Sequence, residues 1–149
     1  MNTNISSLHT AIEGKSETES LAILADLFPG EVVFSTSLGY EDQVITDFIL
    51  KNNLNITIFT LDTGRMFNET YMTLQKTNNR YDTKVKVFYP QTGAAETLVS
   101  TKGPLSFYES VENRKECCSI RKVEPLNRAL KGAKIWVTGI RAEQSGNRQ

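Results

Sequence analysis

The chain has two cysteines, Cys117 and Cys118, and they stand side by side. Arg114 and Lys115 precede them, and Arg121 and Lys122 follow within about one helical turn. Positive charge favours thiolate over thiol, and thiolate is the form that binds metal or attacks an electrophile. These residue types at this spacing predict sulfur chemistry, as ligation or as nucleophilic attack. Two blander uses of the pair stay open. Free cysteines can pack in a core as small, weakly polar side chains. Neighbouring cysteines can also close a strained disulfide, which a reducing compartment disfavours.

Three more segments offer groups for a ligand, each just after an expected strand. In Ser35-Thr36-Ser37-Leu38-Gly39-Tyr40-Glu41-Asp42, hydroxyls and a glycine let backbone N–H groups approach an anion. The helix that follows adds its positive end. The loop lacks the Gly-Lys-Ser/Thr ending of a Walker motif, which disfavours a grip on magnesium triphosphate. Simple helix capping would use the same residues. Leu61-Asp62-Thr63-Gly64-Arg65 supplies an acid and a hydroxyl for nucleoside edges, with Arg65 to reach a phosphate or sulfate. A plain Asp-Thr-Gly capping turn is the alternative there. Thr138-Gly139-Ile140-Arg141 with Gln144, Ser145 and Arg148 holds arginines, an amide and a hydroxyl, the inventory for a dianion. It would equally suit a solvated tail.

The elements needed to position these segments alternate along the chain. Helices are predicted from Glu17 or Thr18 to Leu27, stopped by Pro29-Gly30, and from about Glu41 to Lys51. Further helices are expected over Asn68 to Asn79 and Pro125 to Lys131. Val32 to Phe34, Ile56 to Leu61, Val85 to Tyr89 and Ile135 to Thr138 read as strands, rich in β-branched and aromatic residues. Thr92 to Glu116, broken by Gly93, Gly103 and Pro104, is expected to be irregular. Strand–helix alternation of this kind predicts an α/β fold: a mostly parallel twisted sheet with helices on both faces. In such a sheet, ligands meet the loops beyond the carboxyl ends of the strands. Trp136 and Tyr108 are expected to be packing residues.

A chain of 149 residues fits a single domain, residues 1–149, with a real core. Cations and acids number 17 each, so no global field draws the protein to nucleic acid or to an anionic membrane. Cations outnumber acids from Arg114 onward, which makes any anion binding local. No apolar run approaches bilayer length, and Met1 to Glu13 has neither the basic residues nor the apolar core of a secretory signal. A cytoplasmic location is therefore expected. His9, the single histidine, is expected to be a surface residue in a mobile N-terminus. With two cysteines it cannot complete a four-ligand zinc set.

With these segments assembled, the chain resembles the assimilatory sulfonucleotide reductases, and within them the adenylyl-sulfate (APS) reductase branch. That branch is related to the phosphoadenylyl-sulfate (PAPS) reductases, in the adenine-nucleotide α-hydrolase-like fold. The resemblance covers roughly Val32 to Arg148. Cys117-Cys118-Ser119-Ile120-Arg121-Lys122-Val123-Glu124-Pro125-Leu126 is its strongest part. The resemblance implies reduction of adenylyl sulfate to sulfite and AMP in sulfate assimilation, for cysteine biosynthesis. A cysteine thiolate attacks the substrate sulfur, AMP leaves, and thioredoxin or glutaredoxin releases sulfite.

It further implies that Cys117 and Cys118 ligate a 4Fe-4S cluster together with a second cysteine pair. Lys122 and Arg141 would serve the reaction. Ser35, Thr36, Ser37, Leu38, Gly39, Asp42, Leu61, Asp62, Thr63, Gly64, Arg65, Arg121, Gly139, Gln144 and Arg148 would hold substrate. The family's second cysteine pair and nucleophilic cysteine have no counterpart up to Gln149. The expectation is thus a nucleotide-binding core that lacks the redox-cysteine segment, carries no complete cluster and does not turn over. The alternatives are a PAPS reductase, an ATP pyrophosphatase-like ligase or sulfurtransferase, and a non-catalytic nucleotide-binding module. A homo-oligomer stays open.

Overall fold

The structure is a computed structural model and describes residues 5–83 and 85–139. Two compact units divide the chain, residues 1–58 with 132–149 and residues 59–131.

In the first unit, α1 (Ile5–Ile12) precedes α2 (Glu17–Leu27). The Ser16 hydroxyl starts α2 by accepting from the Glu19 N–H at 3.2 Å, satisfying a donor that has no partner inside the helix. Leu21 and Ala25 form its buried side. Strand β1 (Val32–Ser35) leads into α3 (Tyr40–Lys51), and β4 (Ile135–Val137) returns beside β1. The two strands are parallel, with Val32 opposite Ile135, Val33 opposite Trp136 and Phe34 opposite Val137. Val32, Val33, Phe34, Ile49 and Ile56 are buried in this unit. Residues Ile5–Ile12 are helical, and His9 is exposed on α1, as expected of a surface residue.

Strand β2 (Thr57–Leu61) carries the chain into the second unit, which continues with α4 (Asn68–Tyr81) and β3 (Lys86–Phe88). Parallel pairing sets Phe59 opposite Lys86 and Leu61 opposite Phe88. Phe59 meets Phe88 edge to face, centroids 5.9 Å apart. The strand order of the sheet is β3-β2-β1-β4. The α/β class with a parallel sheet and flanking helices is as the alternation predicts.

The region expected to be irregular is mostly helical: α5 (Thr92–Lys102), a 3₁₀ turn (Ser106–Tyr108) and α6 (Val111–Cys118). Its glycines punctuate helices instead of breaking them. Gly93 falls in the first turn of α5, and Gly103, with φ of +86°, ends it. Helix α6 buries no residue, so it shows no apolar stripe in the sequence. Ser110 caps it by accepting from the Asn113 N–H at 3.0 Å. Lys102 of α5 ties to its Glu116 at 2.9 Å and its Asn113 at 3.1 Å. Beyond Cys118 the helix widens into a π segment (Ser119–Val123) and runs on as α7 (Glu124–Leu130). Pro125 is the buried residue of α7. Among the described residues no helix is long and apolar enough to cross a membrane.

Candidate functional site

The Ser35–Asp42 loop of the first unit is closed on itself. The Asp42 carboxylate accepts from the Ser37 N–H at 2.6 Å and from the Ser37 hydroxyl at 2.7 Å. Thr36 Oγ1 accepts from the Leu38 N–H at 2.9 Å, and Ser37 Oγ from the Gly39 N–H at 3.2 Å. The backbone donors expected to cradle an anion are thus taken by the loop's own side chains. Asp42 is buried, and with Glu41 it puts negative charge in the first turn of α3. It occupies the electrostatic niche that a phosphate would use at a helix N-terminus. In this structure the N–H groups of Ser37, Leu38 and Gly39 are engaged within the loop.

Leu38 sits at φ of +64° with its side chain buried, an uncommon backbone region for a leucine. Gly139 lies so close to Asp42 that a Cβ there would collide with the carboxylate Oδ1. Trp136 is 48% exposed, not a core residue as expected, and its indole N–H donates to Ser35 Oγ at 2.8 Å.

In the second unit, the turn after β2 is built around Asp62, which is buried. Its N–H donates to the Phe88 carbonyl at 2.9 Å, extending the sheet. Its Oδ1 accepts from the Gly64 N–H at 2.8 Å, and the Tyr71 phenol of α4 also hydrogen-bonds its carboxylate. That bond, then desolvation and the negative charge of Asp62, pushes the Tyr71 hydroxyl above the ordinary 10.0. Thr63 Oγ1 accepts from the Arg65 N–H at 3.2 Å. Leu61 is half-buried at the end of β2.

Arg65 is exposed, and its guanidinium is engaged within the protein. It donates to the Pro104 carbonyl at 2.7 Å and lies 5.1 Å over the Phe107 ring. Arg121, in the π segment, donates through Nη1 to the Thr63 carbonyl at 2.6 Å. Lys122 beside it is exposed. Cys117 is half-buried and Cys118 exposed, both as free thiols on the last turn of α6. Cys118, being exposed, is not a core residue. Tyr108, expected to pack, is largely exposed, with its ring tilted against Phe107 at 4.3 Å.

Thiol donors suit iron–sulfur ligation, and two of them supply half of a four-thiolate set. Among the described residues no group of three or more Cys, His, Asp or Glu gathers as a metal site. Arg141, Gln144 and Arg148 lie outside the described residues. Tyr71 and Trp136 are contacts that the sequence did not expose. One was simply an apolar-side helix residue, and the other a strand residue.

The architecture is an α/β fold with a four-stranded sheet of order β3-β2-β1-β4. It superposes on the crystal structure of a phosphoadenylyl-sulfate (PAPS) reductase from Candida auris, a phosphate complex, with a TM-score of 0.72 at 21% identity. That match covers 94% of this chain and 70% of the other. Residues 31–149 match the phosphoadenosine phosphosulfate reductase domain, and the chain belongs to that family. An adenosine 5'-phosphosulfate reductase of Sinorhizobium fredii (strain NBRC 101917 / NGR234) is 48% identical over 141 residues, covering 95% of this chain and 56% of the relative. One from Neisseria meningitidis serogroup B is 52% identical over 116 residues, covering 77% and 47%. The chain spans about half the length of the curated relatives it matches.

Proposed function

We propose that this chain is the nucleotide-binding part of a reductase that converts adenylyl sulfate to sulfite and AMP in sulfate assimilation. The single observation that carries the reading is the bond from Arg121 to the Thr63 carbonyl. It joins the segment bearing Cys117 and Cys118 to the Asp-Thr-Gly turn that would hold the nucleotide. Relatives near 50% identity bear the name of that reductase, which supports adenylyl sulfate over its 3'-phosphorylated form.

In the proposed reaction, a cysteine thiolate other than Cys117 and Cys118 attacks the sulfate sulfur. An S–S bond forms, the S–O bond to AMP breaks, and AMP carries away the electron pair. A dithiol donor of the thioredoxin or glutaredoxin kind then attacks the enzyme's sulfur. Sulfite leaves, the enzyme thiol is restored, and the donor is oxidised to its disulfide, accounting for both electrons. The chain's own part is binding and electrostatics. Within the second unit Asp62 and Thr63 would meet the nucleoside; within the first, the Ser35–Gly39 loop offers hydroxyl and backbone groups to a nucleotide. Lys122, with Arg141 and Arg148, would offset charge as it develops on the sulfur oxygens and the leaving phosphate. Cys117 and Cys118 would be two ligands of a 4Fe-4S cluster, which when bound supplies net negative charge that these cations offset. A cytoplasmic setting fits a reductase that needs reduced thiols.

Calorimetric titration of this chain with adenylyl sulfate, its 3'-phosphorylated form, AMP and ATP tests the reading. Tighter binding of adenylyl sulfate than of ATP is expected. Preference for ATP with magnesium would overturn it in favour of a ligase, and absence of any binding would overturn the assignment of the loops.

A further inference from the structure

We propose that Arg121 is a positioning residue: it acts on a bound nucleotide through the Thr63 carbonyl, by fixing the Thr63–Gly64 peptide, and not as a ligand of the substrate's anionic groups. The inference rests on the reading that the Asp62–Arg65 turn holds the nucleotide.

The geometry is specific to one peptide group. A peptide unit is planar, so its C=O and N–H point in fixed opposite directions. The Thr63 carbonyl receives Arg121 Nη1 at 2.6 Å, and the N–H of the same peptide, that of Gly64, donates to Asp62 Oδ1 at 2.8 Å. Both ends of the unit are held, one of them by a charge-assisted bond from a residue 58 positions away. The Asp62 bond is local, between residues two positions apart. Arg121 is what refers the turn to the helix that carries the cysteines.

Gly64 completes the arrangement. Its φ of +82° is costly for other residues, and a Cβ at this position would stand 3.0 Å from Arg121 Nη1. A side chain there would both strain the backbone and press on the guanidinium. The π segment matters as well. Its wider turn re-phases the residues after Cys118 relative to a continuous α-helix, and Arg121 lies within it.

An anion ligand and a positioning residue differ in what they do to a neutral ligand. Adenosine has no phosphate, yet it needs the same turn. Adenosine and AMP would be titrated against the full chain and its Arg121→Ala and Arg121→Lys variants, with thermal melts to verify folding. Arg121→Ala is expected to weaken both ligands by the same factor, about tenfold, the loss of one charge-assisted hydrogen bond. Exchange of the Gly64 amide proton should accelerate while amides within β2 keep their protection. Arg121→Lys, which keeps the charge but loses the planar fork, should show the same equal loss at smaller size, and serves if the alanine variant does not fold.

A loss confined to AMP would overturn the proposal and make Arg121 a direct anion ligand. Unchanged affinity for both ligands would overturn it too. If the unaltered chain bound neither adenosine nor AMP, the reading of the turn would fall and take this inference with it.

Discussion

Asp42 and Ser37 are joined twice, carboxylate to backbone N–H at 2.6 Å and carboxylate to hydroxyl at 2.7 Å. The pair closes the loop between β1 and α3 on a buried negative charge. Whatever that loop binds must tolerate a carboxylate in place of the free N–H groups of a phosphate cradle. Within the loop, the Asp42 carboxylate takes the Ser37 N–H that an anion would otherwise use.

Replacing Asp42 with alanine should therefore damage the loop. It removes the partner of both Ser37 donors, and because Ser37 itself is exposed and water can reach them, the expected loss is about 1 kcal/mol of stability. Urea unfolding of Asp42→Ala against the unaltered chain would measure it. Stability unchanged within about 0.5 kcal/mol would show that water replaces the carboxylate without penalty.

Gly139→Ala should be destabilising for a different reason. The added methyl would meet Asp42 Oδ1 directly, and either β4's end or α3's first turn must give way. A loss of about 1–3 kcal/mol is expected, in the range of overpacking a filled site. Combined with Asp42→Ala, the loss should be less than additive, because the obstructing carboxylate is then gone. A four-way urea series tests that coupling, and strict additivity would contradict the contact.

Tyr71 predicts a pH dependence. The Asp62 hydrogen bond chiefly holds its phenol above the ordinary 10.0, so the folded state keeps that proton more tightly than the unfolded chain. The resulting stabilisation is fully present below pH 10 and disappears as pH rises through the folded-state value. Unfolding free energy of the unaltered chain should decline above pH 10, and Tyr71→Phe should lower stability at neutral pH while removing this part of the decline. Identical alkaline slopes in the two proteins would contradict the assignment.

Cys118 is exposed, so Cys118→Ser should change stability by no more than about 0.5 kcal/mol. If the pair ligates iron as proposed, the same substitution should lower iron and sulfide retained after anaerobic reconstitution of a protein carrying the remaining ligands. Undiminished iron content, with the visible absorption band intact, would remove Cys118 from the ligand set.

The chain's single tryptophan reports on the first unit. Because the Trp136 indole N–H is bonded to Ser35 Oγ, adenosine bound at the Ser35–Asp42 loop should change its fluorescence intensity or shift its emission. A titration monitored near the emission maximum would show saturation at the calorimetric affinity. Flat emission under saturating ligand would place the ligand away from Ser35.

Much was determined by sequence alone. Alternation of β-branched runs with amphipathic segments gave the parallel α/β class, because periods of two and of 3.6 residues commit a segment to strand or helix before any tertiary contact forms. The adjacent cysteines and the Arg-Lys-Val-Glu-Pro-Leu run after them carry the resemblance to the family, because two thiols among cations form a local chemical pattern that can be read without the fold. Helices α5 and α6 escaped because neither presents a buried stripe. Leu98 is the buried residue of one, and the other has none, so Ser110, Gly103 and the Lys102–Glu116 pair define them instead. What only the tertiary structure decided is the use of each polar group. Ser37 and Gly39 could have faced a ligand, but their donors turn to Asp42 and to Ser37 Oγ. Arg65, which sequence offers as a sulfate ligand, donates in this structure to the Pro104 carbonyl and lies over the Phe107 ring. Arg121 meets Thr63 across 58 positions. Hydrogen bonds form within about 3 Å in space, and sequence separation places no constraint on which donors and acceptors the fold brings to that distance.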